Sequence, residues 1–255
     1  MTTSHEMPTV RLAKRLSEDV PCSRREAELY IEGGWVTVDG VPVEESGARV
    51  ADNQVVVLLP NATLEEMPPV TILLHKPAGI NGGVGGVGGE GKPALACLRP
   101  EQLFTPENVL PSAVTRFLKR HLIGLSITNP LDTMASGLLV FTQDFRVARK
   151  LVDEAKTVEQ EFIVEVAGNI MENGLALLNH GLPFNGKPLP PIKVSWQNET
   201  RLRFALKNVQ PGQIAHMCKM VGLDVVAMKR LRIGRIPMGA MPVGQWRYLQ
   251  GYERF

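Results

Sequence analysis

The chain is poor in the residues that would tie it to an oxidising compartment or to a metal. Its three cysteines, Cys22, Cys97 and Cys218, are far apart and odd in number, which argues against a disulfide framework and for a reducing compartment; a cytoplasmic location is expected. The histidines, His5, His75, His121, His180 and His216, show no paired spacing for a metal ion. Long apolar runs are missing as well: the longest reach about five residues, against the ~20 that a membrane span needs, and the opening MTTSHEMPTV carries no basic-then-apolar signal pattern. No membrane is expected as a partner. A phosphate-binding loop comes close and fails. In GINGGVGGVGGEGKPA the spacing Gly86-x4-Gly91-Lys92 is right, but Pro93 stands where a Ser or Thr must hold magnesium. The expectation is therefore no metal and no nucleotide cofactor, with the glycine-rich stretch a flexible surface loop.

What is present suffices for a packed core. With 255 residues, 44% hydrophobic and 21% charged, the chain can form one large domain or two modest ones. A net charge of +2 hides a sharp asymmetry, because residues 200–255 carry ten Lys or Arg against Asp224 and Glu253. A smaller basic group, Arg11, Lys14, Arg15, Arg24 and Arg25, lies near the start. Both clusters point to a polyanionic partner, with solvated helix faces as the alternative for either alone.

The first sixty residues read as one compact unit. Leu12, Leu16 and Val20 recur at helical spacing, and Ser23 with Glu26 forms a capping box that opens a second helix, which stops at Gly33-Gly34. WVTVDGVPV then alternates around Asp39-Gly40 as a hairpin, and VVVLL (55–59) supplies a further strand. The polar, Pro-rich stretch 61–69 reads as a linker. From 70 to 255, strand candidates at 70–75, 138–142, 162–166, 202–206 and 225–228 alternate irregularly with helices near 144–153 and 213–221. That pattern implies an α+β domain built on a mixed, largely antiparallel sheet.

The block RLAKRLSEDVPCSRREAELYIEGGWVTVDGVPVEESGARVADNQVVV resembles the S4-type RNA-binding domain. That resemblance implies RNA contacts by Arg11, Lys14, Arg24 and Arg25, which would grip phosphates without reading bases. Further on, ILLHKPAGI, PLDTMASGLLVFTQD, EQEFIVEVAG, QIAHMCKMVG and VVAMKRLRIGRIPMGAMPVGQWRYL occur in the order seen in bacterial ribosomal-RNA pseudouridine synthases of the RsuA type. This second resemblance implies a catalytic domain at 70–255 that isomerises uridine in structured RNA, most plausibly ribosomal, without a cofactor and as a monomer. It makes Asp132 the nucleophile, Phe162 the ring that stacks on the base, and Lys76 and Gln213 substrate-site residues. The basic Lys229, Arg230 and Arg232 would join the RNA grip.

Two departures from the family pattern bear on activity. The usual Arg two residues before the nucleophile is Pro130, and the usual pair of arginines after the Gln is Ala215-His216. A carboxylate desolvated without a cation loses its charge at neutral pH, so another cation is required, with Lys76, His216, Lys219, Lys229 and Arg230 as candidates. The alternative reading is a relative that keeps the fold and RNA binding, in ribosome assembly or as an RNA chaperone, without catalysis.

Overall fold

The computed structural model describes residues 8–64, 68–85, 89–105 and 117–255, which fall into two compact units. The first comprises Met1–Pro68 together with Arg116–Ile123. It holds strand β1 (Thr9–Arg11), helices α1 (Leu12–Asp19) and α2 (Arg24–Glu32), and strands β2 (Val36–Val38), β3 (Val41–Val43), β4 (Arg49–Ala51) and β5 (Val56–Leu58). Helix α2 starts with the anticipated capping box: the Ser23 hydroxyl accepts from the Glu26 N–H at 3.2 Å, and the Glu26 carboxylate accepts from the Ser23 N–H at 2.7 Å. Asp39 and Gly40 take φ of 52° and 81°, the two left-handed residues that a tight β2–β3 hairpin needs. Leu12, Leu16, Ala27, Ile31, Val36 and Val50 pack as its core. The β1–β4 pair went unforeseen because three-residue strands carry too little alternation to read.

One assignment differs from the sequence reading. Residues 117–123, counted with the larger domain, belong to the first unit, where the Lys119 N–H donates to Glu44 at 2.6 Å and Arg120 pairs with Glu32 at 3.9 Å. Within the expected linker, residues 65–67 lie outside the described residues.

The second unit is a sheet with helices on it. Its elements are β6 (Thr71–Lys76), β7 (Ser126–Ile127), β8 (Ser136–Thr142), α3 (Phe145–Val152), β9 (Glu159–Gly168), α4 (Gly174–His180), β10 (Lys193–Trp196), β11 (Arg201–Lys207), α5 (Gln213–Met220), β12 (Leu223–Ile233), β13 (Ile236–Pro237) and β14 (Trp246–Tyr248). Strand order is β10-β11-β9-β12-β8-β6-β14, with β13 on β12 and β7 on β8. Every pair is antiparallel except β12 with β8, so the sheet is mixed and largely antiparallel. One parallel pairing is enough to place two strand ends side by side. Lys229 and Arg230 of β12 register with Ser136 and Gly137 at the start of β8, immediately after the turn that carries Asp132. Gly137 permits this approach: its φ is 109°, and a Cβ there would overlap the backbone of Arg230.

In the first unit, His121 is buried at 2% exposure, and burial, followed by the nearby Arg120 charge, pulls its pKa from 6.5 down to about 4. The unfolded chain therefore binds more protons between these values, and stability rises with pH across that window. Urea unfolding is expected to show the native protein losing up to about 3 kcal/mol as pH falls from 6.5 to 4, and His121→Gln losing distinctly less. Equal losses in the two proteins would refute the assignment.

Candidate active site

Asp132 sits in a turn whose backbone is held from several sides. The Leu131 N–H donates to Gly82 C=O at 3.0 Å and the Ala135 N–H to Asp132 C=O at 3.0 Å. The Thr133 C=O accepts from the Gly79 N–H at 2.8 Å and from Lys76 Nζ at 3.1 Å. The carboxylate is half-buried and lines a cleft enclosing about 260 Å³, part of it open solvent, together with Pro130, Phe162, Gln210, Ile214 and Met228. Both residues expected to carry the chemistry, Asp132 and Phe162, thus border one space.

Behind them lies Arg230, 1% exposed. Its Nε donates to Leu138 C=O at 2.7 Å, Nη2 to Asn129 C=O at 2.9 Å, and Nη1 to Gln160 Oε1 at 3.1 Å and Pro130 C=O at 3.3 Å. The guanidinium carbon is 5.9 Å from the centre of the Phe162 ring, within cation–π range. Burial drags its pKa down to about 9, and the negative charge of Asp132 pulls the other way. The expectation that Arg230 grips RNA is corrected: a guanidinium enclosed this way cannot reach a phosphate. It is instead a buried positive charge beside the turn that carries Asp132.

Lys76 is also buried and near the turn, but its ammonium donates to Pro77, Ile80 and Thr133 C=O at 2.8, 2.6 and 3.1 Å. Its donors go to backbone, so it shapes the site rather than touching substrate. Burial, then repulsion by Arg230, lowers its pKa to about 8. Gln213 is buried as well, and its Oε1 accepts from the Gln210 N–H at 3.0 Å, which closes the loop before α5. His216 is exposed, hydrogen-bonded to Pro183 C=O at 3.1 Å and packed on Phe184, and Ala215 is exposed beside it. Neither replaces a cation at Asp132.

The remaining basic positions divide. Arg232 binds Glu159 at 2.6 Å and Glu161 at 3.1 Å, so its charge is already met, whereas Lys229 is half-buried with no ion pair among the described residues. In the first unit Lys14 pairs with Glu18 at 3.7 Å and Arg25 with Glu28 at 3.5 Å, while Arg11 and Arg24 are exposed without an ion pair among the described residues.

Sequence reasoning missed three contributors. One is Gln160, which supports Arg230. Another is Gly212, the residue before α5, whose N–H donates to both carboxylate oxygens of Asp132 at 3.1 Å. Pro211-Gly212 is a recognisable turn signal, but nothing in the sequence says what the turn faces. The third is Asn81, buried in the glycine-rich stretch. Its carboxamide donates to Val84 and Glu90 C=O at 3.2 and 2.9 Å and accepts from the Gly83 and Val84 N–H groups at 2.8 and 3.0 Å. The described part of that loop is therefore tied by its own hydrogen bonds, and Gly82 meets Leu131 beside Asp132, so it is not a free surface segment; residues 86–88 of the failed phosphate-loop pattern lie outside the described residues.

A flexible ammonium cannot span the four acceptors of a planar guanidinium. Arg230→Lys is expected to cost about 3 kcal/mol in urea unfolding through buried acceptors left unpaired, against less than about 0.5 kcal/mol for exposed Arg235→Lys. A cost for Arg230→Lys as small as that of the surface control would show that the four hydrogen bonds contribute nothing net.

No family model matches the chain. The dual-specificity RNA pseudouridine synthase RluF of Escherichia coli (strain K12) is 28% identical over 249 residues, covering 96% of this chain and 77% of the relative. An RNA pseudouridine synthase of Aquifex aeolicus (strain VF5) is 26% identical over 245 residues, covering 96% and 94%. A crystal structure of a pseudouridylate synthase superposes with a TM-score of 0.58 over 94% of this chain and 96% of its own, at 18% identity, a likeness of fold. These similarities run over nearly the whole of this chain and support classing it with the pseudouridine synthases, enzymes that act on RNA.

Proposed function

We propose that the protein isomerises uridine to pseudouridine in structured RNA, most plausibly ribosomal RNA, as a synthase of the RsuA type with an S4-type domain at its N-terminus. The observation that carries the reading is the Asp132 carboxylate on the lip of a cleft shared with Phe162, with the buried positive charge of Arg230 behind the turn. In the reaction C1′–N1 breaks and C1′–C5 forms; C5 gives up its proton and N1 ends protonated, so no atom or electron is gained or lost. The Asp132 carboxylate attacks C1′ or the uracil C6, and the flipped base stacks on Phe162. Arg230 keeps a positive potential under the carboxylate, the part that Pro130, Ala215 and His216 leave unfilled. An RNA binder without catalysis is the second reading, favoured by Pro130 and by the spending of every Arg230 nitrogen on neutral acceptors.

Carbodiimide mapping of pseudouridine in total RNA separates the two. From cells lacking the protein, one site is expected to vanish, to return with the native chain and to stay absent with Asp132→Ala, whose RNA affinity and unfolding midpoint remain near native. A full set of sites in the deletion strain, with no product on candidate RNAs in vitro, would leave the binder.

RNA affinity itself is expected to rest on the unpaired cations of the first unit. Arg11→Ala with Arg24→Ala should weaken binding across sequences alike and lower the slope of log K against log salt by about 2. An unchanged slope would exclude both side chains from the phosphate contacts.

A further inference from the structure

Among the described residues, one hydrogen-bond donor reaches the Asp132 carboxylate, and it is a backbone amide. The Gly212 N–H lies 3.1 Å from Oδ1 and 3.1 Å from Oδ2. The cations that might have done this work are committed elsewhere: Arg230 to Leu138, Asn129, Pro130 and Gln160, Lys76 to three backbone carbonyls, and the His216 ring to Pro183. We propose that the Gly212 amide is the positioning group of the nucleophile in this chain, a role that rests on Asp132 acting as nucleophile in pseudouridine synthesis.

Three features equip it for the task. The amide sits at the N-cap of α5, an eight-residue helix, where unpaired N–H groups and the helix dipole favour a negative charge. The loop leading to it is closed reciprocally: Gln213 N–H donates to Gln210 C=O at 3.1 Å while Gln213 Oε1 accepts from Gln210 N–H at 3.0 Å. Finally, Gly212 holds φ at 76°, the left-handed conformation that turns its N–H toward Asp132. Space does not dictate glycine here, since a Cβ at 212 meets no heavy atom within 4 Å; conformation does. Because the single N–H is shared equally, each carboxylate oxygen keeps lone pairs free for attack while the carboxylate plane is fixed. A charge-assisted bond from a rigid backbone needs no side chain to be ordered on substrate binding.

The test removes the donor without adding a side chain. Glycolic acid in place of Gly212 converts the amide to an ester, with oxygen where the N–H was. With RNA carrying the mapped uridine, this chain is expected to lose about 10- to 100-fold in kcat while its RNA Kd and unfolding midpoint stay near native. Gly212→Asn, the conservative variant that tolerates the left-handed conformation and keeps the N–H, is expected to recover most of the rate. A merely structural turn predicts the reverse order of damage, with Asn harmful and the ester silent. A native kcat in the ester chain overturns the proposal. A second readout is independent of turnover: in [15N]glycine-labelled protein, the Gly212 amide proton is expected to move upfield in Asp132→Asn. An unmoved resonance means that the bond is absent and the proposal fails. If the native chain itself makes no pseudouridine, the catalytic reading falls, and this resonance still decides whether the amide holds the carboxylate.

Discussion

The larger unit is built around one buried charge. Arg230 ties the first residues of β8, the carbonyls of the turn before Asp132 and the side chain of Gln160 on β9 into one cluster, and it lies on the ring that borders the cleft. A cation out of water is tolerable only when its donors are met and a negative charge is close, and both conditions hold. The same enclosure that costs stability gives the guanidinium its effect, since its field is not screened by solvent and acts on whatever stands above it. The parallel β8–β12 pairing and the glycine at 137 let Arg230 enter beneath the turn that carries Asp132.

The outline of the fold was legible because it is local. Alternation named the long strands, capping chemistry named α2, and Asp39-Gly40 named the hairpin. The assignment of 117–123 was not legible, because its partners Glu32 and Glu44 lie far back in sequence. Charge misled in an instructive way. Of the ten basic residues in 200–255, Arg201, Arg203, Lys219, Arg232 and Arg247 are ion-paired and Arg230 is buried, so Lys207, Lys229, Arg235 and Arg254 are the ones without an ion pair among the described residues. Several of the acids that answer them, Glu159, Glu161 and Glu165, come from β9, outside the window in which the excess was counted. Charge density along a chain overstates charge density on a surface whenever neighbouring strands are complementary.

At the site, side chains with a distinctive pattern could be read and backbone groups could not. Asp132 and Phe162 stand in motifs, and the structure brings them to one cleft. Lys76 and Gln213 stand in motifs too, but the Lys76 ammonium and the Gln213 Oε1 bond loop backbone, an outcome that depends on distances no motif encodes. The donor on Asp132 and the geometry of the glycine-rich loop are properties of φ, ψ and of backbone amides and carbonyls, and nearly every residue has those.

The order of strands in the large sheet also governs when the site can come into being. Strand β12 is made late, yet it lies between β9 and β8, which are already synthesised by then. Until residues 223–233 arrive, β8 and β9 present open edges to each other, and the Asp132 turn has neither its parallel neighbour nor its cation. The centre of the sheet therefore closes in one late, non-local step, and a chain interrupted before that strand carries Asp132 without the buried cation beside it. Assembly of the sheet and completion of the surroundings of Asp132 are the same event.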